Sequence, residues 1–80
     1  MKIRVKDRQK AFGAKLVLDN DYLIYNKWKY NYNMVSEFRI KNSEGKIIIG
    51  SDGVVLTVSK FDIEKVKDFL ESKGVTISNS

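Results

Sequence analysis

The chain is 80 residues long and contains no cysteine, histidine or proline. That excludes a disulfide framework, thiolate chemistry, an imidazole base and the usual zinc ligands. With 42% hydrophobic and 31% charged residues and a net charge of +5, it reads as one small basic globular domain over residues 1–80, not as an enzyme.

The first element expected is a strand over residues 2–7. Lys2, Arg4, Lys6 and Arg8 alternate with Ile3 and Val5, so the cations share one face while the aliphatics face the core. With Lys10 and Lys15 they leave Asp7 as the lone acid of residues 1–15, so the whole charge excess lies in this segment. A solvated edge strand is the plainer account, because Lys and Arg deter edge-to-edge pairing. A stripe that tracks phosphates is the alternative.

Gly13 marks a turn or bulge, and a second strand is expected over 14–18. Asp19-Asn20-Asp21 reads as a turn whose side chains bond their own backbone. It does not make a calcium loop, since Ile24 and Tyr30 occupy the positions where a glycine and a glutamate are needed. A short strand follows over 22–25.

From Trp28 to Met34 the aromatic residues alternate with Lys27, Lys29, Asn31 and Asn33, which predicts a strand over 28–35. Inward packing of Trp28, Tyr30 and Tyr32 is expected, since burying each large side chain stabilises by about 1.5–3 kcal/mol. In the other arrangement they form an exposed platform on which bases stack. Strands over 37–42, 46–50 and 54–59 come next. Asn42-Ser43-Glu44-Gly45 and Asp52-Gly53 are the hairpin turns between them, with Gly45 in a left-handed position. Ser51-Asp52-Gly53 lacks a base to complete a nucleophile elbow.

The period changes at residue 60. Ile63, Val66 and Leu70 fall on one helical stripe that Phe69 widens, predicting an amphipathic helix over 60–73. Ser59 and Asp62 are placed as a capping box, Gly74 as the left-handed stop, and Val75 folds back on Leu70. Residues 76–80 read as a frayed tail. The expected core is Leu16, Leu18, Leu23, Phe38, Ile40, Ile47, Ile49, Leu56, Val58, Ile63, Val66 and Leu70, with Ile3 and Val5 facing it.

The sum is an α+β, mainly β domain: a bent antiparallel sheet or small barrel of about six or seven short strands capped by one C-terminal helix. Its later segments resemble small bacterial pleckstrin-homology-like domains. The resemblance is carried by Asp21-Tyr22-Leu23-Ile24-Tyr25, Met34-Val35 to Phe38-Arg39-Ile40, Ile47-Ile48-Ile49, Val54 to Val58 and Phe69-Leu70-Glu71-Ser72-Lys73-Gly74. It implies a barrel with no catalytic residues. In the phosphoinositide-binding members a basic loop joins the first two strands, where Arg8 and Lys10 would lie. Gly53-Val54-Val55-Leu56-Thr57-Val58-Ser59 entering the helix is similar, secondly, to the strand-to-helix junction of a coactivator family that binds single-stranded DNA as a dimer. That resemblance makes Trp28–Tyr32 the stacking surface.

Function is expected to be non-enzymatic binding of a protein partner, as a small adaptor or a phage or mobile-element regulator. Lys, Ile, Asn and Tyr supply 30 of the 80 residues, and their AT-rich codons fit an AT-rich bacterial, phage or mobile-element genome. The alternative is nucleic-acid binding through Lys2, Arg4, Lys6, Arg8, Lys10, Lys27 and Lys29 on phosphates, with Trp28 or Tyr30 stacking. An anionic membrane surface is a third ligand for the same stripe. No cofactor or metal is expected. A core this small makes a homodimer plausible. No apolar run approaches the roughly 20 residues of a membrane helix, and none follows Met1-Lys2, so a cytoplasmic location is expected.

Overall fold

The computed structural model describes residues 1–7, 13–50 and 53–79. Among the described residues there are eight strands: β1 (Lys2–Lys6), β2 (Ala14–Leu18), β3 (Tyr22–Tyr25), β4 (Trp28–Asn31), β5 (Val35–Lys41), β6 (Glu44–Ile49), β7 (Val54–Val58) and β8 (Ile77–Asn79). An α-helix, α1 (Ile63–Ser72), lies between β7 and β8. The strands form one sheet in the order β4-β3-β2-β1-β7-β6-β5-β8, antiparallel throughout except for the parallel pair β5–β8. The α+β, mainly β expectation is met, but the described residues hold eight strands where about six or seven were expected, and the sheet is open from β4 to β8, not closed into a barrel.

Eight strands at about 4.8 Å spacing would span roughly 34 Å if laid flat. The longest extent of the molecule is 29 Å, so the sheet is curled. Its concave face gathers Val5, Leu16, Leu18, Leu23, Phe38, Ile47, Ile49, Leu56 and Val58, and α1 covers it with Val66 and Leu70. Every expected core residue is buried except Ile40, which is half-buried and packs against the cluster. Tyr25, Tyr30, Tyr32, Val35 and Val75 join the core. No helix among the described residues is long and apolar enough to cross a membrane.

Four local expectations are corrected. First, β1 is no edge strand: it pairs with β2 along most of its length and with β7 at Val5 and Lys6. Its cations therefore do not guard a sheet edge. Second, the run 28–35 is broken: β4 stops at Asn31, and Tyr32–Met34 form a 3₁₀ turn before β5. Third, Gly45 is not the left-handed turn residue. Asn42 and Ser43 take the positive φ values, 51° and 65°, as a two-residue hairpin of mirror-image type requires. Asn26 and Lys27 do the same between β3 and β4, at 52° and 72°. Fourth, the expected frayed tail contains β8, whose Ile77, Ser78 and Asn79 pair with Phe38, Arg39 and Ile40. The expected Asp52-Gly53 turn falls partly outside the described residues, as do Arg8, Lys10 and Ser80.

Gly45 lies within β6 because the Phe38 ring lies across it. A Cβ there would stand 2.6 Å from Phe38 Cζ and 3.2 Å from Ile63 Cγ1. Since that ring is fully buried, it cannot swing into solvent. Gly45→Ala should therefore destabilise by about 1–3 kcal/mol through overpacking. Urea denaturation checks this, and Gly45→Ala combined with Phe38→Leu should recover part of the loss.

The helix ends as expected. Val75 N–H donates to the Leu70 carbonyl and Gly74 N–H to that of Glu71, both at 3.0 Å, with Gly74 at φ +84°; this is the Schellman arrangement. Its start is modified: Ser59 Oγ accepts from Phe61 N–H at 3.3 Å, and Lys60–Asp62 form a 3₁₀ turn before α1. Asp62 makes no cap and instead meets Lys65 Nζ at 3.1 Å.

Candidate functional site

Strands β1 to β4 read KIRVK, AKLVL, YLIY and WKYN, without a single Asp or Glu. Their alternation sends Ile3, Val5, Leu16, Leu18, Leu23, Tyr25 and Tyr30 inward. The opposite parity, Lys2, Arg4, Lys6, Lys15, Val17, Tyr22, Ile24, Lys29 and Asn31, forms the convex face. The register aligns these side chains in rows. Arg4 stands opposite Lys15, while Lys2, Val17, Ile24 and Lys29 line up across all four strands. The result is an aliphatic floor of Val17 and Ile24 with ammonium groups at both ends.

A shallow depression of about 340 Å³ lies on this face, lined by Ala14, Lys15, Val17, Ile24, Tyr25, Asn26 and Lys27. Lys29 Nζ stands 4.6 Å above the centre of the Tyr22 ring, a cation–π contact that holds the cation at the surface. Arg4 Nη1 donates to the Gly13 carbonyl at 2.7 Å. With no carboxylate on the four strands, their potentials add. The other half of the sheet differs, for Glu37 pairs with Arg39 at 2.7 Å and Glu44 lies beside Lys41 and Lys46. The Arg39 guanidinium holds the Glu37 carboxyl below its usual range.

Of the residues proposed from sequence for contact with an anion or nucleic acid, Lys2, Arg4, Lys6 and Lys29 meet on this face. Lys27 is exposed in the adjoining turn. Arg8 and Lys10 lie outside the described residues. Tyr30 is corrected: it is 5% exposed, so its ring cannot stack on a base. Trp28 has the same parity but sits at the strand end after the positive-φ turn, beyond the core, and is 67% exposed. The aromatic run is thus divided, with Trp28 out and Tyr30 and Tyr32 in. Sequence reasoning left out Lys15, although its alternation with Leu16 was a usable signal. It also left out Val17 and Ile24, which only the register places between the cations.

Two buried tyrosines tie the turns to this half of the sheet. The Tyr25 hydroxyl donates to the Asp7 carboxylate, and the Tyr32 hydroxyl donates to the Asp19 carbonyl. The Tyr32 ring meets Phe69 of α1 edge-on, with centroids 5.9 Å apart. Burial pushes both phenols up to about 12, aided by Asp7 at Tyr25 and by Asp19 and Asp21 at Tyr32. A raised pKa means the fold favours the neutral phenol. This stability is complete below the unfolded value of about 10 and is lost as pH rises from there through about 12. Unfolding midpoints measured across that window should fall. Tyr32→Phe, weaker by about 0.5–1.5 kcal/mol at neutral pH, should show a shallower fall. An unchanged slope in that variant would refute the assignment.

Compared with known protein families and with curated proteins, the chain matches none.

Proposed function

We propose that the protein is a non-catalytic binding module that holds a nucleic acid on the convex face of β1–β4. The observation that carries this reading is the placement of Lys2, Arg4, Lys6, Lys15 and Lys29 on four strands that bear no carboxylate. Since β1 lies inside the sheet, edge protection does not account for its cations. Phosphates are the ligand that such a field attracts most strongly. Trp28 at the rim offers one ring for stacking. The scaffold is read as pleckstrin-homology-like: seven antiparallel strands followed by a helix support that, and β8 is an addition. A cytoplasmic location goes with this reading.

A protein partner is the second reading, and Phe61 favours it. This ring is 85% exposed, between two shallow grooves formed with Ile40, Ile63 and Thr57.

The deciding experiment is fluorescence anisotropy with labelled single-stranded and duplex oligonucleotides at about 50 and 200 mM salt. Micromolar binding that collapses at the higher salt is expected. Absence of binding at the lower salt would overturn the nucleic-acid reading and turn attention to Phe61.

A further inference from the structure

At one end of the basic face the molecule opens into a cleft of different character. β1 pairs with β7 only at Val5 and Lys6. Toward Lys2 the two strands part, because the chain leaves β7 at Ser59 for the helix. The gap is an open cleft of about 650 Å³ lined by Lys2, Ile3, Arg4, Lys15, Ser59, Asp62 and Lys65.

Four cations here face one carboxylate, and that carboxylate is engaged: Asp62 Oδ1 holds Lys65 Nζ at 3.1 Å. Arg4 is steadied by its bond to the Gly13 carbonyl, and a guanidinium carries four further N–H donors with which to meet a ligand. Ser59 Oγ accepts the Phe61 N–H at 3.3 Å, so its own proton is available to donate. Donors held in place before a ligand arrives lose less freedom on binding.

We propose that this cleft is a discrete site for a phosphate monoester, bound by Arg4, Lys15, Lys2 and Lys65 with the Ser59 hydroxyl. A monoester carries about 1.5 to 2 negative charges at neutral pH, which the cation surplus of the cleft matches better than the single charge of a diester. Such a group is found at the 5′ end of a nucleic-acid strand, and the adjoining basic face, which shares Lys2, Arg4 and Lys15 with the cleft, favours that source. The site rests on the basic-face reading for its ligand and goes beyond it, and it can fall while that reading stands.

The test compares matched pairs of probes on the full chain. One pair is a short oligonucleotide with and without a 5′-phosphate. The other is vesicles containing phosphatidic acid or an equal charge of phosphatidylglycerol. Preference for the 5′-phosphorylated oligonucleotide by about tenfold is expected, and a preference confined to the phosphatidic acid vesicles would overturn the assignment to a nucleic-acid end. NMR titration should place the shifts on the amides of Arg4, Ser59 and Lys65. Lys65→Gln and Arg4→Gln, checked for folding by circular dichroism, should reduce the preference to less than about threefold, while Lys41→Gln, on the other half of the sheet, should keep it. No discrimination in either pair would overturn the site. If both oligonucleotides bound equally well, the basic-face reading would survive that result. A preference that persisted unchanged in both cleft variants would also overturn the cleft site.

Discussion

A Phe38→Ala protein should lose about 3–5 kcal/mol of stability, the range for emptying a buried aromatic site. Phe38 is fully buried and stands where three elements meet. On β5 it pairs with Ile47 of β6 and with Ile77 of β8, its N–H donates to the Thr76 carbonyl at 2.8 Å, and its ring lies over Gly45. Gly45 has no side chain with which to refill the space, so the cavity cannot collapse from that side. A chain of this length has a total stability of roughly 4–12 kcal/mol, so the loss is a large share of the whole. With a urea dependence of about 1–3 kcal/mol per molar, the unfolding midpoint should fall by at least about 1 M. β8 should detach first, seen as early amide exchange at Ile77 to Asn79. Phe61→Ala is the control. At 85% exposure it should change stability by no more than about 0.5 kcal/mol. A Phe38→Ala loss below about 1 kcal/mol would mean that the ring does not fill this core.

The second large effect is on binding. If four of the convex-face cations engage phosphates, the logarithm of the affinity should fall with the logarithm of salt at a slope of about −2.8 on single strands and −3.6 on duplex. Between 50 and 200 mM that is a loss of roughly 50-fold and 150-fold. Replacing Lys2, Arg4 and Lys6 together by glutamine should remove about two to three units of slope on duplex. These side chains are exposed and point away from the core, so the fold should tolerate the change. The matching triple replacement of Arg39, Lys41 and Lys46 is the comparison, because Glu37 and Glu44 already offset those cations. Equal effects of the two triples would mean that net charge alone, and not the carboxylate-free face, governs binding.

Much of the fold was legible because it rests on short-range chemistry. Period-two alternation in KIRVK and AKLVL, the stripe of Ile63, Val66 and Leu70, and Gly74 as a left-handed stop all act within a few residues. The core followed from the same patterns, and Ile40 alone fell short of full burial. Lys2, Arg4 and Lys6 had to share a face once they alternated with Ile3 and Val5.

What the linear pattern left undecided depends on contacts between distant segments. Alternation from Trp28 to Met34 is as compatible with one long strand as with a strand and a turn. The hydroxyl contact of Tyr32 with the Asp19 carbonyl and its edge-on contact with Phe69 accompany the break. Gly45 looked like a turn residue because glycine is favoured there, but the close approach of Phe38 explains its place in β6. Ile77 to Asn79 are too few to form a strand alone, and the free edge of β5 supplies their backbone partners.

The candidate site divides in the same way. Sequence by itself determined the amount of positive charge, its concentration near one end of the chain and the face on which it lies, since these follow from composition and parity. Only the tertiary structure decided that β1 lies inside the sheet, that Lys15 and Lys29 join its cations, and that Lys65 of the helix closes a cleft beside them. Strand order and helix docking are set by burial of a shared core, which joins residues far apart in the chain, and no local period encodes that.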